Sequence, residues 1–116
     1  MEMASVMNTG VGAGAQENVA GRLARIFPGA TPMRIPVRME REISGSAERT
    51  MIEFGTAREV IFRTSAALDC GESVRLLNDD GTLDIKVRVI AVQWMDTRQA
   101  VAAHFIAPVS NWIIKQ

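Results

Sequence analysis

The chain has 116 residues, of which 47% are hydrophobic and 22% charged, and thirteen basic residues balance thirteen acidic ones. This length suits a single domain, and the composition is too apolar for a disordered segment. The zero net charge predicts no field-driven binding to nucleic-acid polymers. No apolar run reaches the ~18 residues of a membrane-spanning helix, so no membrane insertion is expected. The first six residues lack the basic start and apolar stretch of a secretory signal, which predicts a cytoplasmic protein.

Residues 1–16 are rich in glycine and small side chains, and they offer little apolar surface to bury. We therefore expect them to form a flexible tail. The alternating glycines from Gly10 to Gly14 have some likeness to a phosphate-binding loop. Such a loop must follow a strand and open a helix, and no strand is predicted before this run.

A short helix is predicted over residues 17–27, because Val19, Leu23 and either Ile26 or Phe27 recur at helical spacing. A Pro-Gly pair then ends the pattern. Residues 17–34 are therefore expected to form a helical arm and an extended linker. A helix of two or three turns is marginal on its own, so we expect it to dock on the rest of the chain or on a second copy.

From residue 35 the apolar period changes to two, which indicates half-buried strands. Six strands are predicted, over residues 35–40, 50–54, 59–64, 74–77, 83–94 and 100–106. Their hairpin spacing indicates an antiparallel sandwich or small barrel. In the fifth strand the apolar residues change face by Val92 and Trp94, which predicts a bulge or a strand that passes between two environments. Residues 35–116 are thus expected to form one all-β domain that ends in a short apolar tail.

Side chains that commonly carry catalysis or bind metals are scarce in this chain. Cys70 is the single cysteine and lies in an acidic turn that does not suit a nucleophile. His104 is the single histidine, and we expect its ring to pack on the barrel wall rather than to act as a general base. Asp79 and Asp80 are adjacent acids in a turn, without the further oxygen ligands of a calcium loop. No enzyme, catalytic residue or metal site is therefore predicted.

Several stretches of the chain resemble, in order and spacing, the PilZ domain family. They are Arg34-Ile35-Pro36-Val37-Arg38, Glu53-Phe54-Gly55-Thr56 leading into residues 60–64, residues 67–76, and the late strands at 87–92 and 102–105. The resemblance covers residues 22–107. It implies a six-stranded antiparallel PilZ-like barrel from a bacterium, preceded by the short helical arm. Such domains act as receptors for cyclic di-GMP or as adaptors that have lost this ligand.

The family's ligand signature begins with an RxxxR motif in the arm just before the first strand. In this chain Arg22 and Arg25 lie in the arm but are one residue too close together. Arg34 and Arg38 have the required spacing but lie in the predicted first strand. The first half of the signature is therefore irregular here.

The second half of the signature is a DxSxxG motif between the second and third strands. Without a gap its three positions fall on Phe54, Thr56 and Glu59, so that only the hydroxyl remains. With a one-residue insertion they fall on Glu53, Gly55 and either Arg58 or Glu59. We prefer the insertion, because it leaves Glu53 on the outer face and Phe54 in the interior with Ile52.

These departures predict a regulatory adaptor that binds a protein partner and binds cyclic di-GMP weakly or not at all. No other cofactor is expected. The alternative is a genuine cyclic di-GMP receptor, in which the nucleotide would contact Arg22, Arg25, Glu53, Thr56 and Arg58. A third hypothesis is a minor enzyme or nucleic-acid binder on a barrel of the oligonucleotide-binding type.

Overall fold

The computed structural model describes residues 19–95, 97–109 and 111–114. Within them one short helix precedes six strands: α1 (Val19–Ala24), β1 (Thr31–Arg41), β2 (Ala47–Gly55), β3 (Glu59–Thr64), β4 (Ser73–Leu77), β5 (Asp84–Met95) and β6 (Arg98–Phe105). All neighbouring strands pair antiparallel, and the order β1-β2-β3-β6-β5-β4 closes into a barrel. The predicted fold class, a six-stranded antiparallel barrel with a short N-terminal helix, is confirmed. No helix in this described part of the chain is long and apolar enough to cross a membrane.

The sheet starts at Thr31 rather than at residue 35. The first residues of β1 pair with the end of β2, where Thr31 lies opposite Gly55 and Pro32 opposite Phe54. This pairing extends the strand beyond the segment with regular apolar alternation, so the period alone misses it. The end of the predicted linker therefore belongs to the barrel, while the tail predicted over residues 1–16 lies outside the described residues.

Two local features of the later strands agree with the sequence. The turn between β4 and β5 contains Gly81 with a φ of 77°, a conformation that glycine adopts without steric cost. In β5 the pairing with β6 shifts between Val89 and Ala91. This irregularity turns Val92 toward the barrel core, where it packs against the buried cluster. The bulge predicted from the change of apolar face is thus confirmed.

The C-terminal tail folds back and closes one end of the barrel. Trp112 is 2% exposed, and its indole Nε1 donates a hydrogen bond to the carbonyl oxygen of Thr56 at 2.7 Å. Its ring meets that of Phe105 edge to face, with the centroids 5.3 Å apart. A Cβ atom on Gly55 would lie 2.7 Å from both the Trp112 ring and the Met33 side chain. Only glycine at position 55 therefore leaves room for the Trp112 ring at this end of the barrel.

An ion pair links the two strands at which the barrel closes, β1 and β4. Glu72, which directly precedes β4, is buried, and its carboxylate accepts hydrogen bonds from Arg41 Nε at 2.6 Å and Nη2 at 3.0 Å. The Asp69 backbone N–H donates a further bond to the carboxylate at 3.2 Å. These hydrogen bonds, those from Arg41 first, hold the pKa of Glu72 below its ordinary value despite its burial.

Helix α1 packs on the outer face of the barrel, against β2, β3, β5 and β6. Its contact surface is a second apolar cluster, in which the buried residues are Ala20, Leu23, Ala24, Ile61, Ala100 and Ala102 and the half-buried ones are Phe27, Ala30, Phe54 and Ala91. The small alanine side chains let the helix approach the sheet closely. The prediction that the arm docks through Leu23 and Phe27 is confirmed for the barrel, and the Val19 side chain lies outside the described residues.

Candidate functional site

A bulge at Glu53 decides which residues of the candidate site face outward. The register of β2 on β3 shifts so that Ile52 pairs with Phe62 and Phe54 pairs with Ile61. Ile52 lies in the barrel core, whereas Phe54 packs with Ile61 beneath α1 on the outer face. The expectation that Phe54 lies in the interior with Ile52 was wrong, because the extra residue reverses the side on which Phe54 points. In the gap-free alignment of the DxSxxG motif, Phe54 takes the acidic position, and its side chain lies on the outer face.

Thr56 organises the turn between β2 and β3. Its hydroxyl accepts hydrogen bonds from the backbone N–H groups of Arg58 at 3.0 Å and Glu59 at 2.9 Å. It also donates a hydrogen bond to the Glu59 carboxylate. Thr56 is only 8% exposed, so its single donor and its acceptor sites are used inside the chain. The Thr-x-x-Glu spacing is the sequence signal for this turn, and it is shared with capping boxes, in which the hydroxyl likewise accepts from the backbone N–H three residues on.

Glu59 and His104 form a pair on the outer face. The second carboxylate oxygen of Glu59 lies 3.2 Å from Nδ1 of His104, whose side chain is 46% exposed. The two residues are opposite each other on β3 and β6, and Arg88 lies opposite His104 on β5. His104 was predicted to pack its ring on the barrel wall, but it stands half in solvent as the partner of Glu59. A row of polar side chains therefore crosses three neighbouring strands beside the turn.

A groove, here called the Arg34 groove, lies on the outer face of β1, β2 and β3. Its volume is about 520 Å³, and it is lined by Pro32, Met33, Arg34, Met51, Glu53, Phe54 and Arg63. Inside it Arg63 Nε donates to the Glu53 carboxylate at 2.5 Å. The groove thus combines two guanidinium groups, one carboxylate and an apolar floor. Sequence reasoning missed Arg63, because its meeting with Glu53 depends on the register of two strands.

The predicted site residues are distributed over several places. Glu53 lies in the Arg34 groove, and Thr56 is buried in the β2–β3 turn. Arg58 is exposed and lines a different cavity of about 470 Å³ with His104, Trp112 and other residues of the C-terminal tail. Arg22 and Arg25 are exposed on and just after α1, and neither is among the residues that line the groove. The arginines that share the groove with Glu53 are Arg34 and Arg63 instead.

No other chemistry stands out in the described residues. They contain no group of three histidine, cysteine or acidic side chains that could hold a metal ion. Cys70 is exposed in the turn before β4 and forms no disulfide. The candidate site of this chain therefore consists of the Arg34 groove and the adjoining β2–β3 turn.

Comparisons with known proteins bear on the fold. No family model matches the sequence, and no curated protein gives a significant match. Among solved structures, the chain is similar to the inhibitor of motility MotI/DgrA of Bacillus subtilis, with 13% sequence identity and a TM-score of 0.56. The match covers 71% of this chain but 43% of the other, so the chain spans less than half the length of that protein. The likeness agrees with the predicted PilZ-like barrel and, at this identity, shows the fold alone.

Proposed function

We propose that this chain is a PilZ-like regulatory adaptor domain that acts through protein contacts and binds cyclic di-GMP weakly or not at all. One observation carries the proposal: the residues at the three positions of the DxSxxG motif are engaged within the chain. Phe54 packs beneath α1, the Thr56 hydroxyl is saturated by the turn, and Glu59 is bound to Thr56 and His104. The similar structure from Bacillus subtilis is named an inhibitor of motility, which suits a regulatory role.

Two of these positions, Phe54 and Glu59, oppose nucleotide binding for a chemical reason. A guanine presents N–H donors that a carboxylate accepts, and the phenyl ring of Phe54 accepts none. Glu59, in the position of the glycine, adds bulk and negative charge next to a dianionic ligand. A ligand donor that loses its partner on burial costs about 1–3 kcal/mol. Two such positions together lower the affinity by about two to four factors of ten, at ~1.4 kcal/mol for each factor.

The receptor alternative is favoured by one specific observation, the composition of the Arg34 groove. Two guanidinium groups and one carboxylate converge there above an apolar floor. Arginine can bind a phosphate or the O6/N7 edge of guanine with two parallel hydrogen bonds. A receptor of this kind would use Arg34, Arg63 and Glu53 in place of the arm arginines Arg22 and Arg25.

Calorimetric titration with cyclic di-GMP at physiological salt, beside a GTP control, tests the proposal. We expect no saturable binding in the micromolar range. Saturable, low-micromolar binding that GTP does not mimic would overturn the adaptor proposal. In that case Arg34→Ala, with Arg88→Ala on β5 as the matched control, identifies whether the groove is the receptor site.

A further inference from the structure

The outer face of the first three strands is rich in arginine. Arg34 and Arg38 point outward from β1, Arg49 from β2 and Arg63 from β3. Arg38 and Arg49 lie directly opposite each other in the register of β1 on β2. Like charges in this position destabilise a sheet. Their placement is therefore not explained by the stability of the barrel.

The intramolecular partners of these arginines leave much of their charge accessible. Arg49 pairs with Asp79 at 3.1 Å, but the side chains of both residues are more than 70% exposed. Arg38 lies 3.3 Å from Glu40 and is itself 60% exposed. Exposed pairs of this kind exchange readily with other partners. The Arg34 side chain forms no hydrogen bond or ion pair with any described residue, and it lines the Arg34 groove.

We propose that this face, from the Arg34 groove to Arg49, docks an acidic segment of a protein partner that inserts one apolar side chain into the groove. The inference rests on the adaptor function proposed above and adds the chemistry of the partner. The groove floor of Pro32, Met33, Met51 and Phe54 suits an apolar anchor, and methionine side chains adapt to its shape. The exposed guanidinium groups around it bind carboxylates with two parallel hydrogen bonds.

A protein segment fits this face better than a nucleic acid does. Three acidic side chains, Glu40, Glu53 and Asp79, are interleaved with the arginines. A continuous phosphate backbone would meet these carboxylates, whereas a peptide can place its own carboxylates between them and offer backbone N–H groups to Glu53. Phe54 is the one aromatic ring that lines the groove, and it also packs against α1, so the groove offers no second ring for base stacking.

The probe is a short fluorescein-labelled peptide of aspartates and glutamates around a central leucine, with binding followed by fluorescence anisotropy. We expect saturable binding that weakens as the salt concentration rises, and no binding of the same peptide with lysines in place of its acids. Arg34→Glu should lower the affinity by about tenfold or more. Arg88→Glu on β5, which lies across the barrel from β2, makes the same change of net charge and should alter the affinity by less than about twofold. Replacement of the central leucine by serine should also weaken binding by about tenfold, because one buried apolar side chain is lost.

Three outcomes would overturn the docking proposal. They are no binding of the acidic peptide, equal losses for Arg34→Glu and Arg88→Glu, and displacement of the peptide by a single-stranded oligonucleotide at lower concentration than by unlabelled peptide. Circular dichroism of both variants checks that they are folded. If the acidic peptide does not bind, the docking proposal is wrong, but the adaptor proposal is unaffected as long as cyclic di-GMP does not bind either. Tight binding of cyclic di-GMP would instead overturn the adaptor proposal itself.

Discussion

Replacing Glu72 by glutamine should destabilise the barrel where β1 meets β4. The substitution keeps the size of the side chain but removes the charge that two Arg41 nitrogens contact at 2.6 and 3.0 Å. Hydrogen bonds to charged groups contribute about 1.5–3 kcal/mol each. Removal of one partner from a fully buried ion pair costs about 3–5 kcal/mol, because the other charge is left without compensation.

The side chain of Arg41 is 23% exposed and that of Glu72 only 3%, so water can solvate part of the guanidinium once its partner is neutral. We therefore expect a loss near the lower end of these values, about 2 kcal/mol in the free energy of unfolding. For a domain of this size that corresponds to a melting temperature lowered by about 8 °C. Urea denaturation followed by tryptophan fluorescence measures the loss, since Trp112 is buried in the folded barrel.

The pH dependence provides the sharper test of this ion pair. The pKa of Glu72 is lowered in the folded state, chiefly by its hydrogen bonds from Arg41, so the stabilisation is complete above its ordinary value of 4.5. It is lost as the pH falls from there through the folded-state pKa. The difference between the natural protein and Glu72→Gln should thus be full at pH 7 and shrink below pH 4.5.

A matched control comes from the exposed pair between Arg75 and Asp84, which has the same two-bond geometry at 2.7 and 2.6 Å. Asp84→Asn should cost clearly less than Glu72→Gln, because solvent screens exposed pairs. Two results would refute the argument that burial sets the strength of the Arg41–Glu72 pair. One is an equal loss in the free energy of unfolding for Glu72→Gln and Asp84→Asn. The other is a stability difference between the natural protein and Glu72→Gln that stays constant from pH 7 to pH 3.

Three further predictions concern the arm, the C-terminal tail and the turn. Leu23→Ala should lower the free energy of unfolding by about 2–3 kcal/mol in urea denaturation. In the natural protein at micromolar concentration, the backbone amides of α1 should be protected from hydrogen exchange, and an unprotected helix would contradict its docking. Trp112→Ala should cost about 3–5 kcal/mol by the same denaturation assay, because it empties the barrel end and removes the donor to the Thr56 carbonyl; a loss below about 1 kcal/mol would show that the tail is not part of the core. Phe54→Asp combined with Glu59→Gly should raise the affinity for cyclic di-GMP by about tenfold or more in calorimetry. If the affinity does not rise, the weak binding is due to the irregular spacing of the arginines in the first half of the signature instead.

Most of the fold could be predicted from the sequence because the signals are local. The period of two, the helical spacing before the Pro-Gly pair and the turn at Gly81 each act over a few residues. The change of apolar face in β5 could also be predicted, since Val92 and Trp94 break the alternation within the strand itself. These features determine the number of strands and their order along the chain. The closure of the barrel does not follow from hairpins alone, because β3 pairs with β6 and β4 pairs with β1. It was expected only from the resemblance to the PilZ family.

The candidate site was predicted less well because its geometry depends on distant pairings. The residues from Met51 to Phe54 alternate regularly, so nothing local marks the bulge at Glu53. That bulge follows from the pairing of β2 with β3 and from Gly55, which must face the barrel end that Trp112 fills. The lack of a Cβ atom at Gly55 serves close packing against Met33 and Trp112. The salt bridge from Arg63 to Glu53 likewise appears only once the register is known.

The bulge at Glu53 sets the orientation of two residues on which the functional hypotheses rest, Glu53 and Phe54. It turns Phe54 toward α1, where its ring belongs to the contact surface of the helix. It leaves Glu53 beside Arg63, where the carboxylate neutralises one of the two guanidinium groups in the groove. Arg34 then stands as the groove's guanidinium without a partner among the described residues. The proposed docking of a protein segment with spaced acids rests on this arrangement, because a carboxylate of the partner can pair with Arg34 while the charge of Arg63 is already matched by Glu53.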